Sequence, residues 1–222
     1  AYKTWTINPA AIGGSELPAG ITDAAVNAAV EFNRSKNSAA PEADISSLTF
    51  RAGGEIAVQG YGTDFHFLRT AVFDATNFDF DEHLVGLEAE WEPVVLPLGI
   101  GVARQVPGVP VYFRWRPVAH IEYQSVVEAG DSVILAEAPD YLFTGPILSG
   151  QVWFGGALDR LSLDVTYWAM WDLFARADPF QYLNTGVNWR LDEAGHYALS
   201  ARYENGNLPK TRQAVDQITV DL

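Results

Sequence analysis

From Leu48 onward the chain alternates apolar and polar residues one by one, in segment after segment. The clearest segment is LSLDVTYWAMWDLF, Leu161 to Phe174. Here Leu161, Leu163, Val165, Tyr167, Ala169, Trp171 and Leu173 alternate with Ser162, Asp164, Thr166, Trp168, Met170 and Asp172, so one face is wholly apolar. A strand sends successive side chains to opposite faces, so period two predicts a strand with one apolar face. In YLNTGVNWRL, Leu183, Val187, Trp189 and Leu191 oppose Asn184, Asn188 and Arg190. In HYALSARYE, Tyr197, Leu199, Ala201 and Tyr203 oppose Ser200, Arg202 and Glu204. LVGLEAEWE sets Val85, Leu87, Ala89 and Trp91 against Glu88, Glu90 and Glu92. VYFRWRPVAHIEYQ sets Phe113, Trp115, Ala119, Ile121 and Tyr123 against Arg114, Arg116, His120, Glu122 and Gln124. LTFRAGGEIAVQ and the last residues, Gln217 to Leu222, behave alike.

Leu98–Gln105 and Ser149–Gly155 are weaker, Gly-rich strand candidates, and Asp64–Asp74 alternates poorly. Val126 to Leu148 reads as a very long loop. About ten strands are expected. Most reach the roughly 9 to 11 residues that a tilted membrane strand needs, more than the ~5 to 6 usual in soluble strands. Residues 1–47 differ. ITDAAVNAAVEFNRSK, from Ile21, predicts a short helix, with Ala25, Val26, Ala29 and Val30 at helical spacing and Thr22 or Asp23 as its cap. This segment is expected to be a plug, an arm or a loop, and residues 48–222 the β domain.

Alternation also fits a soluble sandwich, whose apolar faces pack inward. Three features favour a closed barrel in lipid. The polar faces carry Glu and Arg with almost no Lys, and the planar Arg fork suits an enclosed interior where carboxylates need partners. Trp91, Tyr123, Trp171, Trp189, Tyr197 and Tyr203 lie near strand ends on apolar faces, the placement of an interfacial girdle. Links of short and long length alternate, as periplasmic turns and outer loops do. Ten strands from Leu48 would return both ends to the short-turn side. Trp115, Trp153 and Phe154 are expected on outward faces, as lipid contacts or a subunit interface of a homo-oligomer.

Composition narrows the function. Asp and Glu number 28 against 14 Lys and Arg, a formal charge of −14, which repels nucleic acid. Cysteine is absent, so thiol chemistry and thiolate metal sites are excluded. No apolar run reaches the roughly 18 residues of a spanning helix, so a spanning form has to be a closed barrel. The four histidines form no HExxH and no close metal-ligand pair, and no cofactor or metal site is expected. Asp64 with His66, and Asp81 and Glu82 with His83, are local acid–His groups, which an enzyme at the barrel rim would use. Rim or loop histidines are the plainer reading. Asp74, Asp79, Asp81 and Glu82 form an acidic stretch that lacks the Gly and closing Glu of an EF-hand loop.

The C-terminal third, and NWRLDEAGHYALSARYENGNLPKTRQAVDQITVDL in particular, resembles the closing hairpins of Gram-negative outer-membrane β-barrel proteins. The resemblance implies an outer-membrane location and lipid as a partner. Such barrels usually end on an aromatic residue, whereas this sequence ends at Leu222, a departure that means either that a few residues such as a terminal aromatic are missing or that the resemblance does not hold.

Together these readings predict an all-β, antiparallel up-and-down transmembrane barrel of about ten strands with a short N-terminal helix or loop segment. Its lumen would be lined by Glu88, Glu90, Glu92, Arg114, Arg116, His120, Glu122, Asp164, Asn188, Arg190 and Arg202. Its lipid face would carry Trp91, Trp115, Tyr123, Trp171, Trp189, Tyr197 and Tyr203. Side chains nearly fill a barrel of eight strands, so ten make a narrow channel or a closed structural protein without enzymatic activity. Small solutes or ions would use a net acidic lumen. A rim enzyme acting on lipid or peptide and a soluble β-sandwich binding protein are the alternatives.

Overall fold

In a computed structural model, residues 2–7, 21–36, 44–60, 64–77, 80–130, 136, 138–192, 198–209, 212 and 214–221 are described. The chain is all-β. The strands are β1 (Tyr2–Ile7), β2 (Ile21–Lys36), β3 (Asp44–Gln59), β4 (Phe65–Thr76), β5 (Glu82–Val94), β6 (Arg104–Gln105), β7 (Val111–Ala129), β8 (Asp140–Phe154), β9 (Leu161–Asp172), β10 (Phe180–Arg190), β11 (Ala198–Asn207) and β12 (Ala214–Asp221). They form one twelve-stranded sheet in chain order, with β6 off the path on β7. The described ladders are antiparallel throughout. Among the described residues no ladder joins β12 to β1, so the sheet is open as described.

The alternating segments are where strands were expected, with three differences. Ile21–Lys36 is strand, not helix, and pairs along its length with β3, from Ile21↔Val58 to Lys36↔Asp44. Ala24, Val26, Ala28, Val30 and Phe32 also alternate with Asp23, Asn27, Glu31 and Asn33. The alanines satisfy either period, and a long partner strand decides for the sheet, because propensity is a weak prior. Most of the expected loop from Val126 to Leu148 is strand too, since β7 runs on to Ala129 and β8 begins at Asp140. Conversely, Leu98–Gln105 is mostly a turn. A 3-10 turn occupies Leu96–Leu98, and Gly99 and Gly101 take φ of 70° and 75°, which a strand residue does not adopt.

Two expectations about connections fail as a result. Links 155–160, 173–179, 191–197 and 208–213 are of similar length, so short and long links do not alternate in this stretch. With β6 off the path, the strands from β3 to β12 are odd in number, so with alternating directions the run enters at one end of the strands and leaves at the other, not both at the short-turn side.

The chain forms two compact units, one of residues 1–92, 119–145 and 170–179, the other of residues 93–118, 146–169 and 180–222. In the first, Phe73, Ala75 and Leu84 form a buried cluster against which Val126 and Ala129 pack, and Tyr141 stacks on Phe143 with ring centroids 5.8 Å apart. In the second, the buried apolar residues include Val94, Ile100, Val118, Ile147, Phe180, Tyr182 and Val215.

Candidate functional site

Each unit carries a polar constellation on one face of its strands. In the first unit, register sets Glu88 opposite Glu122 and Glu90 opposite His120 across β5 and β7. The same register sets Leu87 opposite Tyr123 and Ala89 opposite Ile121 on the other face. Like charges directly opposite one another destabilise a sheet unless cations intervene. The fold supplies them. Arg51 of β3 pairs with Glu88. Arg69 of β4 pairs with Glu55 of β3 and, at 2.6 Å, with Glu92 of β5. His120 sits between Glu90 at 3.2 Å and Glu122 at 3.1 Å, and the Gln124 amide donates to Glu122 at 2.5 Å. One guanidinium therefore bridges three strands, and the imidazole and amide extend the network to a fourth.

Glu88, His120 and Glu122 are all buried, and one ligand atom from each lies within 4.8 Å of the others. Two oxygens and a nitrogen so placed could hold a divalent cation, whereas no metal site was expected from sequence spacing. The same atoms are engaged by Arg51 and by the His120 contacts, so the arrangement also stands as a closed ionic network.

In the second unit, β7, β8, β9 and β11 form a cavity of about 310 Å³ lined by Arg114, Arg116, Gln151, Asp164, Thr166 and Arg202. The Arg114 guanidinium donates to Gln151 Oε1 at 2.6 Å and lies 5.7 Å from the Trp153 ring centroid. Asp164 accepts from Asn188 Nδ2 at 2.7 Å. Gly186 of β10 makes room for that carboxylate, since a Cβ there would lie 2.8 Å from Asp164 Oδ1. Trp153 thus shares a face with Gln151 and with the Arg114 side chain rather than pointing outward as expected, because its position keeps the parity of Ser149 and Gln151.

Of the residues expected to line an interior, Glu88, Glu92, His120 and Glu122 are buried, while Glu90, Arg114, Arg116, Asp164 and Asn188 are half-buried. Arg190 and Arg202 are exposed, and Arg190 donates to the Asp159 carbonyl at 2.6 Å in the turn before β9. Of the expected outward aromatics, Trp91, Trp115, Tyr123, Trp171 and Trp189 are exposed and Tyr203 is half-buried; Tyr197 lies outside the described residues.

Asp64 with His66, and Asp81 and Glu82 with His83, stand as local acid–His groups in the sequence, with rim or loop histidines the plainer reading. His83 instead contacts Asp74 of the neighbouring strand at 2.8 Å, and His66 accepts from the Trp91 indole at 3.3 Å. Asp81 bonds Asn77 within its turn, and Asp79 lies outside the described residues. Arg69 was missed by sequence reasoning. Its face neighbours along β4 are Phe67, Ala71 and Phe73, so no polar stripe marks it.

No known protein family, curated protein or solved structure matches this chain.

Proposed function

We propose that this chain is an integral β-barrel of a bacterial outer membrane, acting as a narrow channel or structural membrane protein with a polar interior and an apolar face toward lipid. One observation carries the reading, the inverted burial along β7. Ile121 and Tyr123 are 42% and 38% exposed, whereas the intervening His120, Glu122 and Gln124 are 4%, 3% and 0% exposed. A soluble sheet buries its apolar alternates; here the charged ones are enclosed and braced to one another. The adjacent strand agrees, with Leu87 and Trp91 exposed and Glu88 and Glu92 buried. Val187, Trp189, Leu199, Ile218 and Val220 extend the exposed apolar series to β10, β11 and β12. Within each unit the large apolar side chains of these strands are thus turned to the outside, which water disfavours and lipid accepts.

Strand length agrees as well. β3, β4, β5, β7, β8 and β9 run 16, 12, 13, 19, 15 and 12 residues, enough to cross at the usual tilt. No helix among the described residues is long and apolar enough to cross a membrane, a test that does not address β-barrels. The cross-strand ion pairs fill the polar face with bonded side chains, which favours a narrow passage over a wide pore.

The test is extraction with and without detergent, followed by a denaturing gel of unboiled and boiled samples. The expected outcome is a need for detergent and a shifted unboiled band. Solubility without detergent, with identical bands, would overturn the reading.

A further inference from the structure

The two polar constellations differ in how their arginines are balanced. In the first unit, Arg51 and Arg69 each contact carboxylates directly. In the cavity of the second unit, Arg114 and Arg202 share the lining with one carboxylate, Asp164, which is itself engaged by Asn188; Arg116, also in the lining, is engaged by a partner of its own. Among the described residues neither Arg114 nor Arg202 is in an ion pair. Arg114 is oriented by neutral groups, the Gln151 amide and the Trp153 ring, which fix a guanidinium without cancelling its charge. Its Nε is buried with no acceptor, a feature it shares with Arg51 of the first unit, so the difference between the two lies in the carboxylate that Arg51 contacts and Arg114 does not. Arg202 stands opposite Gly186 on β10 and Thr219 on β12, neither of which neutralises it. The chain carries a formal charge of −14, so this local excess of positive charge is not a general property of its surface.

A planar guanidinium presents a fork of N–H donors that matches two oxygens of one anion. Ser149 Oγ and Thr166 Oγ1, 3.4 Å apart in the same lining, add neutral donors. A volume of about 310 Å³ admits more than a single inorganic ion. We infer that this cavity binds a small, multiply charged oxyanion in solution, inorganic phosphate or a solute carrying a phosphate group. The inference goes beyond the membrane reading and does not require it. It also runs against the expectation of a lumen that favours cations throughout, because along β7 the cavity is lined by Arg114 and Arg116 while His120 and Glu122 lie further on.

The experiment uses the full chain in phosphate-free, low-salt buffer, with neutral detergent if extraction requires it. Inorganic phosphate is titrated by calorimetry and by tryptophan fluorescence, for which Trp153 is the nearby reporter. The expected result is saturable binding that chloride at equal ionic strength does not reproduce. Arg114→Gln and Arg202→Gln should each weaken it about tenfold or more, as loss of a charge-assisted bond does. Arg202→Lys, which keeps the charge and loses the fork, should retain only part of the affinity. Arg160→Gln, outside the cavity, should leave it unchanged, and an unaltered unboiled gel band or circular dichroism spectrum shows that each variant is folded. No saturable binding, equal binding of chloride, or full affinity in both Gln variants would overturn the proposal. So would a response to phosphatidylglycerol in the micelles and none to free phosphate, which would mean a lipid headgroup site. A chain that is soluble without detergent yet binds phosphate would sink the membrane reading and keep this one.

Discussion

At the residue scale the informative side chain is Arg69. It contacts Glu55 on one neighbouring strand and Glu92 on the other, and the Glu92 side chain is only 4% exposed. Arg69→Met keeps most of the volume and removes one cation from a buried carboxylate. Removing one member of a buried pair costs on the order of 3 to 5 kcal/mol, and partial exposure of Arg69 places the expected loss near about 3 kcal/mol, read as a lower denaturant midpoint. Adding Glu92→Gln should return part of it, because the buried charge is then gone; a double variant no more stable than Arg69→Met would mean that Arg69 acts through packing. The acidic residues of this network were legible in the sequence, since Glu88, Glu90 and Glu92 alternate with Leu87, Ala89 and Trp91. Their cation was not, because Arg69 lies among Phe67, Ala71 and Phe73 on its own face. Nor was the His120 arrangement, which depends on register between β5 and β7 rather than on spacing within either strand.

At the element scale, the turn leaving β9 is held by one carboxylate. Asp172 accepts backbone N–H bonds from Leu142 at 3.0 Å, Phe174 at 3.2 Å, Arg176 at 2.8 Å and Ala177 at 3.0 Å. Both oxygens are needed, Oδ1 for Leu142 and Phe174 and Oδ2 for Arg176 and Ala177. Asp172→Asn therefore turns one accepting oxygen into a donor facing N–H groups. It should cost about 1 to 3 kcal/mol and speed amide exchange at Arg176 and Ala177, with little change in the middle of β9. Uniform acceleration along β9 would count against a local role. Such a turn was only half visible in the sequence: Asp172 reads there as one more polar alternate. The same weakness explains the other element-scale misses. Ala-rich β2 fits both helical and strand periods, and in β8 the Gly145–Pro146 step and Gly150 interrupt the apolar pattern although the strand runs through them.

At the scale of the whole molecule, the question that matters is what covers the outer edges of β1 and β12. Lipid offers no partner to an unpaired strand edge, so the proposed membrane form requires closure. Strand parity restricts how. The path holds eleven strands once β6 is set aside, and alternating directions make its first and last strands parallel. Bacterial single-chain barrels hold an even number of antiparallel strands, and leaving out the six-residue β1 gives ten, with β12 antiparallel to β2. Closure of the inserted form is therefore expected between β12 and β2, with β1 displaced from the edge it occupies on β2. The chain has no cysteine, so the test has no background. Ile218→Cys on β12 is combined with single cysteines along Ala24–Phe32 of β2 and along Lys3–Thr6 of β1, and disulfide formation is read in membranes as a band shift lost on reduction. Cross-linking to β2 within a short window of positions supports the ten-strand closure. Cross-linking to β1 instead would mean an eleven-strand barrel with one parallel pair. Absence of cross-linking to either strand would leave an open sheet, which a membrane does not accept, and would return the exposed apolar face to the search for a protein partner.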